Sequence, residues 1–387
     1  MMTKKINPAF VMPVLMSFFV MSFCDLIGIA SDRAKDELVF SDTIKGIIPF
    51  AVFIWFFVLS VSVGTLQDRF GKRNILNIGM IITSIGLFLP YFNFNLTTLL
   101  IGFAFLGIGN TIVQVSANPL LVDVVSGEKA SSFLSFSQFI KAVGSMCAPF
   151  VAAYMASAFG DWKLIFLVFG IVSLIAVIWL YMIKIDESKN TEQRVTFISS
   201  FKLLGNSYIA WMVLGIFLVV GIDVGINFIS KDFLTEKFSS VGEFAEKGRS
   251  VYFFGKMLGT FAGALMLTML SSRKFLFWSS VLGLISIIAL LFVPSEMSAL
   301  VVIFIIGLGC ANIFPLIFSL AVEKYPSRSN EISGLMIMAV SGGALIPFIM
   351  GFLKENISLT SSMFVLVICA AYLLFLAMFN IKENKAA

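Results

Sequence analysis

Four ionisable residues stand inside long apolar stretches that would otherwise be unremarkable hydrocarbon: Asp25, Lys141, Asp223 and Lys256. A charge at the centre of a membrane-spanning helix costs about 2.5–3.5 kcal/mol on insertion scales, so it is kept where it faces a partner or a wet cavity. Lys141 is the sharpest case, because it belongs to a polar stripe. In the segment from Asn110 to Phe150, Asn110, Gln114 and Asn118 share one helical face, and Gln138, Lys141 and Ser145 share a face of the next helix. Gln114, Asn118, Gln138, Asn227 and Asn312 are neutral donors and acceptors of the kind that read hydroxyl groups. Taken singly, each is equally a helix–helix hydrogen bond. The stripe of three raises the weight of the ligand reading for its own helix.

The chain has no histidine, so any proton handling falls to carboxylates. Asp25 and Asp223 are expected in the outer halves of the first and seventh spans. Each is either half of an inert buried ion pair or a carboxylate whose protonation is coupled to substrate, and for an intramembrane acid the functional reading carries more weight. Asp25 is the first candidate for ion coupling, with Lys141 as a counter-charge that changes partner during a cycle. Asp223 and Lys256 stay open between a static pair and an ion-coupling or ligand role. Cys24, Cys147, Cys310 and Cys369 each sit in an apolar segment without CxxC spacing, which fits packing and neither a disulfide framework nor a metal site. No cofactor is expected. HExxH, GxSxG and Walker-loop patterns are absent, which argues against an enzyme.

The elements that must position these groups follow from composition. Of 387 residues, 59% are hydrophobic and 13% charged, with a mean hydropathy of +1.00; soluble domains are about 25% charged. Apolar segments of about 20 residues cross roughly 30 Å of hydrocarbon as helices. The expectation is an all-α integral membrane protein with twelve transmembrane helices in two pseudo-symmetric six-helix bundles. These are residues 1–185 and 207–387, joined by a cytoplasmic linker at 186–206. The first apolar stretch is long and carries Asp25, so it reads as a retained helix and not as a cleaved signal.

The halves repeat each other: Asp25 and Arg33 match Asp223 and Lys231, and the run from Lys141 to Phe150 matches Ala339 to Phe348, all shifted by 198 positions. A substrate site is therefore expected between the halves, near the midplane. With both termini in the cytoplasm, sixteen of the 27 basic residues fall inside and nine outside, the remainder being Lys141 and Lys256. The net charge of +5 is explained by this asymmetry and calls for no nucleic-acid partner. A multi-pass plasma membrane protein, in a bacterium the cytoplasmic or inner membrane, is the location expected.

Between spans 2 and 3 lies GTLQDRFGKR, with Gly64, Asp68, Arg69, Gly71, Lys72 and Arg73. The spacing strongly resembles the signature of the major facilitator superfamily, in which this loop latches the two halves together on the cytoplasmic side. The matching place in the second half lacks the acid, so one good latch is expected. QVSANP at 114–119, the following ASSFLSFSQ with KAVG, VGID in span 7, GKMLGT in span 8, and FPLIFSLAV with SGLMIMAVSGGALIP in spans 10 and 11 are similar to the fucose/proton and glucose/galactose symporter family. That resemblance implies alternating-access import of a mono- or disaccharide by symport with a cation, H+ or Na+, in a protein that works as a monomer within the lipid bilayer. Lys141 falls where that family usually has asparagine, Lys256 where it has arginine, and Gln114 where the fucose branch has glutamate. These departures point away from fucose itself. Two buried lysines also suit an anionic sugar acid. A drug-efflux antiporter is weighed lower, because GSMCAPF at 144–150 lacks the Gly-Pro-x-x-Gly-Gly run of that class.

Overall fold

The computed structural model describes residues 8–125, 130–185, 187, 201–240, 243–266, 270–325 and 328–386, and the elements among them are helices and turns. Twelve long helical segments run in chain order. The first half holds α1 (Pro8–Leu38), α2 (Asp42–Phe70), α3 (Lys72–Phe92), α4 (Leu96–Val125), α5 (Ala130–Phe159) and α6 (Leu164–Met182). The second holds α7 (Ser207–Phe238), α8 (Glu243–Met266), α9 (Ser272–Phe292), α10 (Glu296–Lys324), α11 (Ser329–Met338 continuing through Gly342–Asn356) and α12 (Leu359–Ala386). Eleven are long and apolar enough to cross a membrane by length and composition. The exception, α8, carries Glu243, Glu246, Lys247, Arg249 and Lys256. It starts seven residues earlier than the apolar pattern suggests, bringing Arg249 into the helix.

Three of the helices are interrupted where the sequence pattern reads as continuous. In α1 a 3-10 turn over Ser22–Leu26 separates Pro8–Met21 from Ile27–Leu38. In α10 the helix breaks between Cys310 and Ile313. Pro315 explains that break, because its ring occupies the space of the carbonyl four residues back, at Ala311, and it has no N–H to give. In α11 a 3-10 turn spans Ala339–Ser341. Short 3-10 stretches inside long helices commonly mark hinges.

Two large apolar cores result among the described residues. One is built from α1 to α6 residues such as Phe18, Val52, Phe103 and Phe166, joined at its edge by Val224, Ile337, Val340 and Ala344. The other is built from second-half residues such as Ile216, Ile229, Leu276, Ile306 and Leu366. The halves meet along α2 with α11 and along α5 with α8. Under the 198-residue shift α5 maps onto α11 and α2 onto α8, so these two seams are one contact made twice. Most of the expected linker, residue 186 and residues 188–200, lies outside the described residues.

The α2–α3 turn depends on Gly71, whose φ of +85° favours glycine. It aims the first amides of α3 at one carboxylate: Lys72 N–H and Arg73 N–H donate to Glu187 at 2.5 and 3.0 Å. A carboxylate at a helix N-terminus also meets the positive end of the helix dipole. Lys72 Nζ pairs with Asp123 at 2.6 Å, and Arg73 donates to the Ile183 carbonyl. These bonds tie α3 to α4 and to the chain just after α6, and none of them reaches the second half. The bonds described at this turn are anchors within the first half. The Asp68 side chain lies outside the described residues, and the guanidinium of Arg69 stacks over Phe70. A Cβ on Gly71 would also lie 3.1 Å from Glu187 Oε2. Gly71→Ala is therefore expected to cost about 1–3 kcal/mol, read as a lower melting temperature of the detergent-solubilised protein; an unchanged melting temperature would show that the turn is not strained by a side chain.

Candidate functional site

The interruption in α1 creates the site. A 3-10 turn inside an α-helix frees carbonyls that the helix would have used, and in an apolar interior each must find another donor. Asn110 Nδ2 from α4 donates to Met21 O at 2.8 Å, and Asn227 Nδ2 from α7 donates to Asp25 O at 3.0 Å. The polar stripe of α4 continues from there. Gln114 Nε2 donates to Asn110 Oδ1 at 2.9 Å, and Asn118 Nδ2 donates to Gln114 O at 3.1 Å. Close approach of α5 is permitted by Gly144, where a Cβ would stand 2.1 Å from Ser22 Oγ.

Beside this turn a cavity of about 100 Å³ lies between the halves, well above the roughly 10–15 Å³ that one water needs. From the first half its polar lining is Asp25, Gln114, Asn118, Gln138, Lys141 and Ser145, beside Met21, Cys24 and Ala142. Asp223, Lys256 and Thr260 face it from α7 and α8, while Phe53, Phe314, Pro315, Ile337 and Val340 supply an apolar side. A shape of this kind, apolar with a few convergent polar groups, is the usual form of a small-molecule site.

The two carboxylates have different surroundings. Asp223 takes hydrogen bonds on both oxygens, from Lys256 Nζ and from Tyr252 OH, and with Lys256 it forms an ion pair. Asp25 accepts from Ser145 Oγ at 2.5 Å. Lys141, Lys256 and Asp223 act on Asp25 through space, but among the described residues no ion pair within 4.0 Å joins it to Lys141. Asp223 is thus committed and Asp25 is not. Of the proposed readers, Asn227 is taken up by the α1 turn, and Asn312 donates to Gly259 O at 2.7 Å, a bond between α10 and α8. Neither lines the cavity. Gln114, Asn118, Gln138 and Lys141 do.

From sequence Tyr252 reads as an aromatic that could stack on a sugar ring; in the structure it sits one turn from Lys256 and completes the donors around Asp223. Sequence reasoning left Lys45, Arg249 and Lys354 in loops at the outer face. All three are buried and ion-paired.

The family follows from the chain as a whole. Residues 13–346 match the model of the Major Facilitator Superfamily, and the protein belongs to that superfamily. It is 27% identical over 389 residues to a glucose/galactose transporter of Brucella abortus, covering 95% of this chain and 92% of that protein. It is 25% identical over 395 residues to a putative glucose/galactose transporter of Helicobacter pylori, covering 95% and 96%. In three dimensions it is similar to the crystal structure of FucP in the outward conformation, with a TM-score of 0.73 and 16% identity over 96% of this chain and 99% of that one.

A mutual Asp223–Lys256 pair makes a definite demand. Removing one partner of a buried pair costs about 3–5 kcal/mol by leaving the other uncompensated, whereas removing both can be close to neutral. Asp223→Asn with Lys256→Gln is expected to melt at a higher temperature than either single variant; additive losses would show that the two do not stabilise each other.

Proposed function

We propose that the protein imports a sugar by alternating access, driven by symport with a cation, and that Asp25 is the group coupled to that cation. The observation that carries this reading is the contrast between the carboxylates: Asp223 is held by Lys256 and Tyr252, whereas Asp25 is held by a single hydroxyl in a cavity lined by neutral amides and by Lys141, which makes no ion pair with it within 4.0 Å among the described residues. A carboxylate whose one direct partner is a hydroxyl can gain and lose a proton, or meet a cation, without breaking an ion pair. Gln114, Asn118 and Gln138 offer donors and acceptors for sugar hydroxyls, and the apolar wall suits the carbon face of a ring.

Neutral hexoses are the first substrates to test, given the names of the Brucella and Helicobacter relatives. Residues 1–185 and 207–387 are the two bodies that rock against each other, with 186–206 as the linker. The excess of basic residues in alternate connections supports cytoplasmic termini in a bacterial inner membrane. Lys141 favours a second reading, transport of an anionic sugar acid, because it lines the cavity and makes no ion pair within 4.0 Å among the described residues.

The test is uptake of glucose, galactose and glucuronate into proteoliposomes under imposed pH or sodium gradients. Accumulation of a hexose that follows the pH gradient is expected. Accumulation lost on removing sodium at fixed pH would replace the proton by sodium, and failure of every sugar under both gradients would refute sugar transport. Asp25→Asn is expected to reduce gradient-driven accumulation at least about tenfold, a change of about 1.4 kcal/mol, while leaving downhill exchange measurable. A variant that still accumulates but no longer exchanges would remove Asp25 from the coupling role. Glucuronate uptake abolished by Lys141→Gln, with hexose uptake retained, would support the second reading.

A further inference from the structure

Toward the face that carries the α1–α2 turn, a second set of charges is buried more deeply than the cavity groups. Side-chain exposure is 0% for Lys45, 1% for Arg249, 2% for Asp32, 6% for Lys354 and 13% for Asp232. They come from both halves, and three of the pairs among them and Asp42 cross the seam. Asp32 on α1 pairs with Arg249 on α8; Lys45 on α2 bridges Asp32 at 2.5 Å and Asp232 of α7 at 2.8 Å. Lys354 on α11 bridges Asp232 at 2.7 Å and Asp42 of α2 at 3.3 Å. Lys231 with Asp36 at 2.6 Å and Thr43 N–H with Glu355 at 2.7 Å add links across the same seam. Such a set resists an intermediate arrangement, because a buried charge that loses one partner needs another or needs water.

Arg249 has a second attachment. Its Nε donates to Asn227 O at 2.7 Å, and Asn227 Nδ2 donates to Asp25 O. A continuous path therefore runs from the turn holding the uncommitted carboxylate, through Asn227 and Arg249, into the ion pairs. Gly28 allows it: a Cβ there would stand 2.0 Å from Asn227 Oδ1 and 2.7 Å from Arg249 Nε. We infer that Asp32, Lys45, Asp232, Lys354 and Arg249 form a gate closing the α1–α2 face, and that Arg249 is the positioning residue that couples this gate to the Asp25 turn. The inference rests on the transport reading and its topology. It goes beyond them in giving the closed face a named lock and a named link to the cavity.

The test uses the full-length protein with its four native cysteines replaced by serine and Val220→Cys in the cavity wall as reporter. The probe is a membrane-impermeant maleimide applied to intact cells. Val39→Cys, in the α1–α2 turn and 86% exposed, reports sidedness separately. If it is not labelled from outside, the topology fails and not the gate. With Val39→Cys labelled, Arg249→Met is expected to raise the labelling rate of the cavity reporter at least about fivefold, Arg249→Lys to restore slow labelling in part, and Gly28→Ala to act like Arg249→Met. Total labelling after solubilisation controls for folding, and Lys45→Met with Asp232→Asn, which removes a pair without stranding a charge, serves if Arg249→Met does not fold. Labelling as slow as the parent in a folded gate variant would overturn the gate. For the link, Asp25→Asn is expected to change the labelling rate and Asn227→Ala to abolish that change; the same change in both backgrounds would overturn the coupling.

Discussion

A charge in hydrocarbon must be paired or wetted, and this constraint organises the protein from one face to the midplane. Toward the α1–α2 face it is met by pairing: acids and bases from both halves close on one another with hardly any exposure. At the cavity between the halves it is met in a mixed way. Asp223 and Lys256 neutralise each other, whereas Asp25 and Lys141 border a cavity and are left without direct ion partners among the described residues. The first arrangement resists change and the second invites it. The alternating access proposed above has use for both.

The internal repeat supplies the framework and its breaches supply the chemistry. Symmetry-related seams, α2 with α11 and α5 with α8, hold the halves together. Symmetry-related positions then diverge: Lys141 on α5 corresponds to Ala339 on α11, which lies in a buried 3-10 turn. Asp25 lies in a 3-10 turn of α1, while its counterpart Asp223 lies in an unbroken helix. The cavity is accordingly polar along α1, α4 and α5 and apolar along α10 and α11. A ligand with hydroxyls on one edge and a carbon face on the other fits such a lopsided lining better than one of uniform character.

Much of this was legible in the sequence because it depends on local pattern. Hydropathy and span length define the helices, the 198-residue shift defines the halves, and Gln114 and Asn118 of the α4 stripe mark a wall of the cavity. The pairing of Lys256 with Asp223 was within reach as well, since both lie at similar depth on consecutive helices. What could not be read depends on tertiary closure. The stretch from Ser22 to Leu26 contains no glycine or proline to announce a 3-10 turn; it is held by Asn110 and Asn227 from other helices. Those asparagines look like ligand readers until the freed carbonyls are seen. Asp32 and Arg249 are 217 positions apart, so no spacing rule connects them. The proline-linked break in α10 lies between these cases, since Pro315 was visible but its effect at Ala311 needed the helix to continue past it.

The central claim is that one cavity is exposed to opposite faces in turn, with the ion pairs of the α1–α2 face made when the opposite face opens. Paired spin-label distances test it most directly. One pair would report the α1–α2 face, Val39→Cys with Ile357→Cys, and another the α2–α3 face, Phe70→Cys with Leu270→Cys; all four positions are exposed. On adding hexose and changing pH, the two distance distributions are expected to shift in opposite directions. Distributions that widen or narrow together, or that stay fixed under every condition in protein competent for uptake, would contradict the account.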